Sequence, residues 1–304
     1  MDISIAAIIP CYNEDLTIGK VISDFKNIIP EAKIYVFDNN STDKTAEIAQ
    51  SSGAIVIKEK RQGKGYVVQS MFNKIDAGIY IMVDGDDTYD LSQVNKMISM
   101  VMGDEADMVV GTRLETYTDK SFRPFHTFGN KLVKSLINKL FRTNLEDIMS
   151  GLRVMNRAFV KNINIMASGF EVETEMTIKA LKYGFIIKEL DINYKERPPG
   201  SFSKLNTFKD GARVIKTIFI IFKDYRPLLF FSMVALLFLL ISLCSGYVVV
   251  EEFIETKYIT HVPLAIFASG AMILAIISFV TGIILDSVNR RFDELYCYLK
   301  GNRP

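Results

Sequence analysis

Short apolar runs alternate with amphipathic segments over the first 200 residues of the chain. Six of the runs have the length of strands: Ile3–Ile9, Ile34–Phe37, Ala54–Lys58, Ile79–Val83, Met108–Thr112 and Ile186–Tyr194. Segments with helical spacing lie between them, for example Leu16–Ile29 and Thr45–Ser52. Continuous apolar runs are typical of strands buried on both faces, and their alternation with helices is typical of a mostly parallel sheet. We therefore predict an α/β domain over residues 1–200.

The hydrophobic pattern changes after residue 226. Pro227–Val250 and Val262–Leu285 each run for about 24 residues without a charged side chain, which is long enough to cross a hydrocarbon core of roughly 30 Å. The pattern predicts a two-helix transmembrane hairpin at 227–286, followed by a C-terminal helix or tail at 287–304. A pair of buried core helices is the alternative interpretation.

The flanks of the two apolar segments predict their orientation. Basic residues lie on the sides away from the connecting loop: Lys216, Lys223, Arg226, Arg290, Arg291 and Lys300. The loop itself carries Glu251, Glu252 and Glu255 against the single Lys257. Because Lys and Arg are retained on the cytoplasmic side of a membrane, we expect a multi-pass protein of the cell (inner) membrane with its first domain and both termini in the cytoplasm.

A basic segment precedes the first apolar helix. Lys195–Arg226 holds eight basic and three acidic residues, interleaved with apolar ones. This pattern predicts an amphipathic helix at 201–226 that lies in the headgroup layer of the membrane. An ordinary solvated helix is the alternative. Phe125–Phe141 has a similar pattern.

Overall charge and cysteine content exclude several classes of protein. Thirty-six Lys and Arg balance thirty-five Asp and Glu, so the chain lacks the basic field that nucleic-acid binding usually needs. The three cysteines, Cys11, Cys244 and Cys297, are far apart and form no CxxC pair. They predict neither a disulfide framework nor a zinc site.

Three carboxylates follow the fourth predicted strand, in the run Val83-Asp84-Gly85-Asp86-Asp87. Like charges this close raise one another's pKa unless a cation neutralises them. Oxygen ligands favour Mg²⁺ or Mn²⁺, and Mg²⁺ is typically held by one or two carboxylates together with substrate phosphates. We expect Asp84 and Asp86 to hold such an ion, with Gly85 leaving room for a nucleotide. A solvated acidic turn is the alternative.

Polar loops also follow the first two predicted strands. They contain Pro10-Cys11-Tyr12-Asn13-Glu14 and Asp38-Asn39-Asn40-Ser41-Thr42-Asp43. Ligands of open parallel sheets collect at the carboxyl ends of the strands, so Asp38 is a candidate to accept hydrogen bonds from a nucleoside. Helix capping and turn formation are the alternative for about half of these residues.

Taken together, these motifs resemble the family 2 glycosyltransferases, whose Rossmann-like fold is called GT-A, over nearly the whole chain. The continuation resembles the polyprenyl-phosphate branch, which includes dolichol-phosphate mannose synthases and bacterial undecaprenyl-phosphate glucosyltransferases. Gly63-Lys64-Gly65 belongs with the motifs of the whole family, and the marks of this branch are Gly111-Thr112-Arg113, Asp147-Ile148-Met149-Ser150-Gly151-Leu152-Arg153, Gly169-Phe170-Glu171 and Arg197…Gly200-Ser201…Ser203-Lys204. One departure is Tyr66, where relatives often place a small polar residue.

The resemblance implies a role for each matching residue. The residues implied to bind the nucleotide sugar are Pro10, Tyr12, Asn13, Glu14, Asp38, Ser41, Lys64, Asp84, Gly85 and Asp86. Those implied to bind the acceptor phosphate are Arg113, Arg153, Arg197, Ser203 and Lys204, although each arginine has a structural ion pair as its alternative. Asp84, Asp86 and Asp147 are the implied catalytic residues, and Asp147 acts either as a base or, as we favour, as an orienting group. Glu171 and Glu173, two residues apart, do not share one helical face, so at most one of them is expected to point into the site.

The implied activity is inverting transfer of a sugar to polyprenyl or undecaprenyl phosphate, for cell-envelope glycan biosynthesis. UDP-glucose or UDP-N-acetylhexosamine is the expected donor, and GDP-mannose is the alternative. A processive polysaccharide synthase is a rival, but such enzymes share a QxxRW motif and this chain contains no Trp. A non-catalytic membrane scaffold with a degenerate transferase fold is the alternative from another class.

Small residues in the second apolar segment bear on assembly. Ala265, Ser269 and Gly270 permit close contact between helices. They are compatible with a homo-oligomer such as a tetramer.

Overall fold

The computed structural model describes residues 3–113, 124–169, 171–195, 197–198 and 219–301, and it leaves the side chains of 124–130, 296, 297 and 299–301 undescribed. The chain divides into two compact units, Met1–Gly211 and Ala212–Pro304.

A seven-stranded sheet forms the centre of the first unit. Its strands are β1 (Ile5–Cys11), β2 (Lys33–Asp38), β3 (Ile55–Lys58), β4 (Ile79–Met82), β5 (Met108–Arg113), β6 (Arg153–Asn156) and β7 (Ile187–Ile192). Their order in the sheet is β3-β2-β1-β4-β6-β5-β7. Strand β6 runs antiparallel to both β4 and β5, whereas the other neighbouring pairs are parallel. The predicted, mostly parallel sheet is confirmed, and β6 is the strand that the apolar pattern did not predict.

Helices cover both faces of this sheet. They are α1 (Ile18–Ile28), α2 (Thr45–Ser51), α3 (Lys64–Lys74), α4 (Val94–Met102), α5 (Pro124–Phe141), α6 (Arg157–Asn162) and α7 (Val172–Lys182). A short 3-10 turn at Leu91–Gln93 leads into α4. Because successive strand side chains point to opposite faces, Ile9 packs with α1 and α4, while Ile8 packs with α3, α6 and α7.

The direction of the strands decides where the polar loops meet. Parallel strands β1, β2, β4 and β5 all end at one edge of the sheet, and antiparallel β6 begins there. The loops after Cys11, Asp38, Met82 and Arg113, and the loop before Arg153, therefore converge at this edge. We call it the carboxyl edge.

The second unit contains two long apolar helices, Pro227–Thr256 and Val262–Gly301. Both are long and apolar enough to cross a membrane, with mean hydropathies of 2.6 and 2.3, and little of either apolar stretch is buried. The second helix continues without a break past the predicted end of its span, to Gly301. Residues 219–225 are also helical, but most of the predicted amphipathic helix, 201–218, lies outside the described residues.

Small side chains bring the two apolar helices together. Ser242 Oγ donates to the carbonyl oxygen of Ala268 at 2.8 Å, and a Cβ on Gly282 would lie 2.9 Å from the Cβ of Phe231. Gly270, in contrast, has no atom near the position of a Cβ. The contact between the two helices therefore leaves Gly270 on an outward face.

Candidate functional site

The three carboxylates of the acidic run after β4 have different burial and different partners. Asp86 is only 3 % exposed, accepts a 2.6 Å hydrogen bond from Thr88 and pairs with Arg197 at 2.5 Å. Asp84 pairs with Lys64 at 2.5 Å. Asp87 instead pairs with Lys20 on helix α1. The structure thus separates Asp87 from the two carboxylates that the sequence predicts as metal ligands.

The electrostatics of this pair suit a bound cation. Burial raises the pKa of Asp86, the negative charge of Asp84 raises it further, and Arg197 opposes both. Among the described residues no group of three His, Cys, Asp or Glu side chains could enclose a metal ion. Two carboxylates nevertheless match the way Mg²⁺ is usually held, with substrate phosphates and water completing its shell. The residues present therefore fit an ion that arrives with a diphosphate.

The glycine within the acidic run has a packing role. A Cβ on Gly85 would lie 2.6 Å from Sγ of Cys11 and close to Ile9 and Ile18. The space that Gly85 leaves is thus filled by β1 and α1. This corrects the expectation that Gly85 makes room for a nucleotide.

Gly151 is the glycine that borders the carboxylates. A Cβ there would lie 2.5 Å from Oδ2 of Asp84, and its backbone N–H donates to the hydroxyl of Tyr89 at 2.7 Å. Tyr89 is buried and packs edge-to-face on Tyr194. The loop before β6 is therefore fixed directly against Asp84.

Lys64, at the start of helix α3, contacts two carboxylates. Its ammonium lies 2.5 Å from Asp84 and 2.5 Å from Glu173 of helix α7. Burial alone lowers the pKa of Lys64, but the two carboxylates outweigh it and hold the pKa above its ordinary value. Lys64 is thus a buried, charged group that belongs to the acidic site. Of the glutamates that the sequence offered, Glu173 is the one that reaches it.

The loops after β1 and β2 hold each other in place. The backbone N–H of Asn13, which has a φ of 54°, donates to Ser41 Oγ at 3.0 Å, and Asn13 Oδ1 accepts from the N–H of Thr42 at 2.8 Å. The N–H of Glu14 donates to Thr45 Oγ1. Asn13 and Ser41, which the resemblance assigned to the nucleotide, therefore have a structural role at this junction.

Pro10 and Asp38 are buried, whereas Tyr12 is 36 % exposed. Pro10 lies within β1, opposite Phe37 of β2 and past the last residue that β1 pairs with β4. Asp38 accepts from the N–H of Ser41 at 3.2 Å. Tyr12 is thus the group of this set that is available to stack on a ligand.

Asp147 is clamped by Arg113. The guanidinium donates to both carboxylate oxygens, from Nε at 2.6 Å and from Nη2 at 2.9 Å. Burial raises the pKa of Asp147, but the bonds from Arg113 outweigh it and the net pKa is lowered. Glu189 accepts from the backbone N–H of Asp147 and fixes its loop. Asp147 is therefore an ionised, oriented carboxylate.

Arg153 does not have the exposure that a phosphate ligand requires. It is fully buried, and it donates to the carbonyl oxygens of Ile148 and Ser150 and to the hydroxyl of Thr177. The prediction that Arg153 clamps the acceptor phosphate is therefore wrong. Its guanidinium fixes the loop that carries Asp147 and Gly151 and ties that loop to α7.

Of the remaining acceptor candidates, Arg197 is the one that lies among the described residues. Arg197 lies beside Asp86, with about a third of its side chain exposed. Ser203 and Lys204 lie outside the described residues.

Two further residues organise the site: Glu173, which the sequence left as an alternative to Glu171, and Asn39, which sequence reasoning missed. Glu173 lies on a buried stripe of α7 with Thr177 and Ala180, and this i, i+4, i+7 spacing was the signal available for it. The side-chain amide of Asn39 donates to the carbonyl oxygens of Glu59 and Arg61 and accepts from the N–H of Gly63. No local pattern indicates that contact, because its partners lie 20 to 24 residues away.

Residues 6–163 match the family described as Glycosyl transferase family 2. The chain belongs to this family. Two relatives come from Haloferax volcanii: the glycosyltransferase AglJ is 27 % identical over 94 % of this chain and 93 % of its own length. The other, a dolichyl-phosphate hexose transferase, is 29 % identical over 70 % of this chain and 92 % of its own length.

A solved structure of a known enzyme shares the fold of this family 2 chain. Glucosyl-3-phosphoglycerate synthase from Mycobacterium tuberculosis, in complex with Mn²⁺ and UDP-glucose, superposes with a TM-score of 0.59 at 19 % identity. The match covers 72 % of this chain and 78 % of that one. At this identity the comparison establishes the fold, and it confirms the GT-A architecture that the sequence motifs implied.

Proposed function

We propose that this family 2 glycosyltransferase moves a hexosyl group from UDP-glucose or a UDP-N-acetylhexosamine to a polyprenyl phosphate such as undecaprenyl phosphate, with inversion at the anomeric carbon. One observation carries the proposal. The carboxylates Asp84 and Asp86 and the Arg113–Asp147 pair meet at the carboxyl edge of one sheet, in a chain that also has two helices of membrane-spanning length.

The donor half of the site is assigned to Asp84, Asp86 and Lys64. A divalent cation such as Mg²⁺ or Mn²⁺, when bound, supplies a Lewis acid for the negative charge that develops on the leaving nucleoside diphosphate. The two aspartates would hold that ion. The ammonium of Lys64, next to Asp84, adds a fixed positive charge on the same side.

The acceptor half is assigned to Arg113, Arg197 and Asp147. A phosphate monoester has a second pKa of about 6 and is therefore largely ionised at neutral pH, so the acceptor needs to be positioned more than deprotonated. Asp147, with its lowered pKa, is a poor base at neutral pH and serves to orient Arg113. The fork of Arg113, directed by Asp147, then matches phosphate oxygens.

The membrane assignment rests on chemistry as well as on length. A polyprenyl acceptor remains in the bilayer, and the relative named dolichyl-phosphate hexose transferase acts, by that name, with a lipid-linked phosphate. The basic flanks of the helices favour a cytoplasmic active site. We assign residues 1–200 to the catalytic domain, 201–226 to an interface helix, 227–286 to the membrane hairpin and 287–304 to a cytoplasmic C-terminal segment.

The test offers membranes containing the full chain a panel of labelled nucleotide sugars with undecaprenyl phosphate. We expect a UDP-sugar to label a product that is extracted by organic solvent and cleaved by mild acid, and membranes without the chain to give none. Labelling by GDP-mannose alone would replace the proposed donor. Absence of a lipid-linked product with every donor would overturn the proposal.

A further inference from the structure

Glu173 carries a charge that the proposed chemistry does not use. Its side chain is 5 % exposed, and its carboxylate lies 2.5 Å from the ammonium of Lys64, which lies 2.5 Å from Asp84 on its other side. The Lys64 side chain is itself only 11 % exposed. Three charges of alternating sign therefore lie in a row that is buried at Glu173 and partly exposed at Asp84, a proposed metal ligand.

The backbone of Lys64 is fixed from the same direction. Gly63 has a φ of +138°, and a Cβ on Gly63 or Gly65 would overlap the carbonyl oxygens of Ser168 and Ala167 respectively. The two glycines thus allow the segment before α7 to pack directly on the start of α3.

Helix α7 also fixes the segment before it, which packs on the start of α3. The carboxylate of Glu175 accepts from the N–H groups of Met166 and Ala167 at 3.0 and 2.7 Å. On helix α7, Glu175 therefore fixes the segment that packs against the backbone of Lys64, and Glu173 contacts the Lys64 ammonium.

A lysine side chain needs such contacts to hold its ammonium in one position. Its ammonium is a compact charge on a flexible four-carbon stem, and next to Asp84 alone it would compete with a cation for that carboxylate. The buried carboxylate of Glu173 shares the ammonium, at the same distance of 2.5 Å as Asp84. Lys64 then neutralises the negative charge of Asp84 less completely, and Asp84 attracts the cation more strongly.

We propose that Glu173 is a positioning residue, which holds Lys64 between helix α7 and Asp84 so that the ammonium faces the donor diphosphate without displacing the divalent cation. This inference rests on the proposed function, because it assumes that the cation and the diphosphate of the donor meet at Asp84.

The experiment measures Mn²⁺-dependent binding of UDP to the full chain in detergent by calorimetry. Glu173→Gln is expected to weaken binding by about tenfold, the lower end of what is lost when a group behind a metal ligand is removed. Lys64→Met also weakens binding. The double variant is expected to bind as Lys64→Met does, because Glu173 acts only through Lys64.

Glu105→Gln is the matched control. Glu105 also pairs with a lysine, Lys188 at 2.7 Å, in an exposed position next to the start of β5 and so at the edge of the sheet opposite to the site. UDP affinity is expected to be unchanged in this variant.

Three outcomes would overturn the inference or its basis. Unchanged UDP affinity in a folded Glu173→Gln chain removes the positioning role. A further loss of affinity in the double variant, relative to Lys64→Met, assigns Glu173 a general structural role, and this comparison stands even if Glu173→Gln alone does not fold, because removing both charges leaves neither unpaired. If the unchanged chain binds neither UDP nor GDP with Mn²⁺, the proposed function itself fails.

Discussion

Three anionic side chains at the carboxyl edge have a cationic neighbour. Asp84 pairs with Lys64, Asp86 with Arg197, and Asp147 with Arg113. Buried charges are tolerated when they are paired and hydrogen-bonded. These charged side chains are thus held in place before a ligand binds. The acidic groups are positioned to bind a cation and the basic groups to bind phosphate.

The Arg113–Asp147 pair predicts the pH dependence of the reaction. Because the pKa of Asp147 is lowered, this carboxylate stays ionised throughout the neutral range, and a loss of rate on acidification is expected only below pH of about 6, where the acceptor phosphate is protonated. Asp147→Asn should lower the rate at every pH and keep the shape of the profile. If the profile of this variant lacks the acidic limb, Asp147 is instead the titrating base.

Substitution of Arg153 is expected to lower the stability of the fold and to have no direct effect on binding of the acceptor phosphate. Arg153→Met removes the side-chain donor to the carbonyl of Ser150 and the shorter of two side-chain donors to the carbonyl of Ile148, so the free energy of unfolding should fall by about 3 kcal/mol. Thermal unfolding of the full chain measures this loss. An unchanged unfolding temperature together with a raised KM for the acceptor would restore the phosphate-binding role.

Local sequence predicted the site only in part. Asp84 and Asp86 stand out because they follow an apolar strand, whereas Asp147 was implied only by the family resemblance, and the structure brings all three to one edge. Arg153 carries the same charge as Arg113 in the sequence, and only the fold reveals that one is enclosed while the other is partly open. Burial of a charge is a tertiary property, so a short motif cannot reveal it.

At the scale of elements, the start of helix α3 and the segment before α7 depend on each other. Gly63, Gly65 and the carbonyls of Ala167 and Ser168 pack backbone against backbone. This explains the Gly-Lys-Gly run as a packing requirement, distinct from the glycines of a phosphate-binding loop. Strand β6 could not be predicted from an apolar run. It has only four residues and begins with a buried arginine.

Gly65→Ala tests the packing of these elements. The new Cβ would overlap the carbonyl oxygen of Ala167, and the forced shift should lower the free energy of unfolding by about 1–3 kcal/mol and weaken Mn²⁺-dependent UDP binding. Gly270→Ala is the control, since nothing lies near its Cβ position, and it should not lower the free energy of unfolding and should leave UDP binding unchanged. Equal behaviour of the two variants in thermal unfolding would contradict the account.

At the scale of the whole molecule, the chain combines a GT-A domain with two helices of membrane-spanning length. The long uncharged runs made the helices predictable, because length and composition alone decide whether a helix can cross a bilayer. The helix ends were less predictable, since the second helix extends beyond its apolar run as far as Gly301.

The orientation of the hairpin is tested by labelling in intact cells. A cysteine placed at Tyr258, in the exposed loop between the helices, should react with a membrane-impermeant maleimide added outside. A cysteine at Lys33, in the first unit, should react only after the cells are permeabilised. The opposite pattern would place the active site on the outer face, and cells with the unchanged chain give the background.

The most direct measurement compares lipid-linked sugar formation by Asp84→Asn/Asp86→Asn with that of Asp87→Asn, in membranes supplied with Mn²⁺, labelled UDP-sugar and undecaprenyl phosphate. The double variant removes both proposed ligands, whereas Asp87 pairs with Lys20 and its φ of 55° suits asparagine. We predict a loss of at least about 100-fold in the double variant and near-normal activity for Asp87→Asn. Undiminished product from the double variant would contradict the central claim that this carboxylate pair holds the cation for sugar transfer.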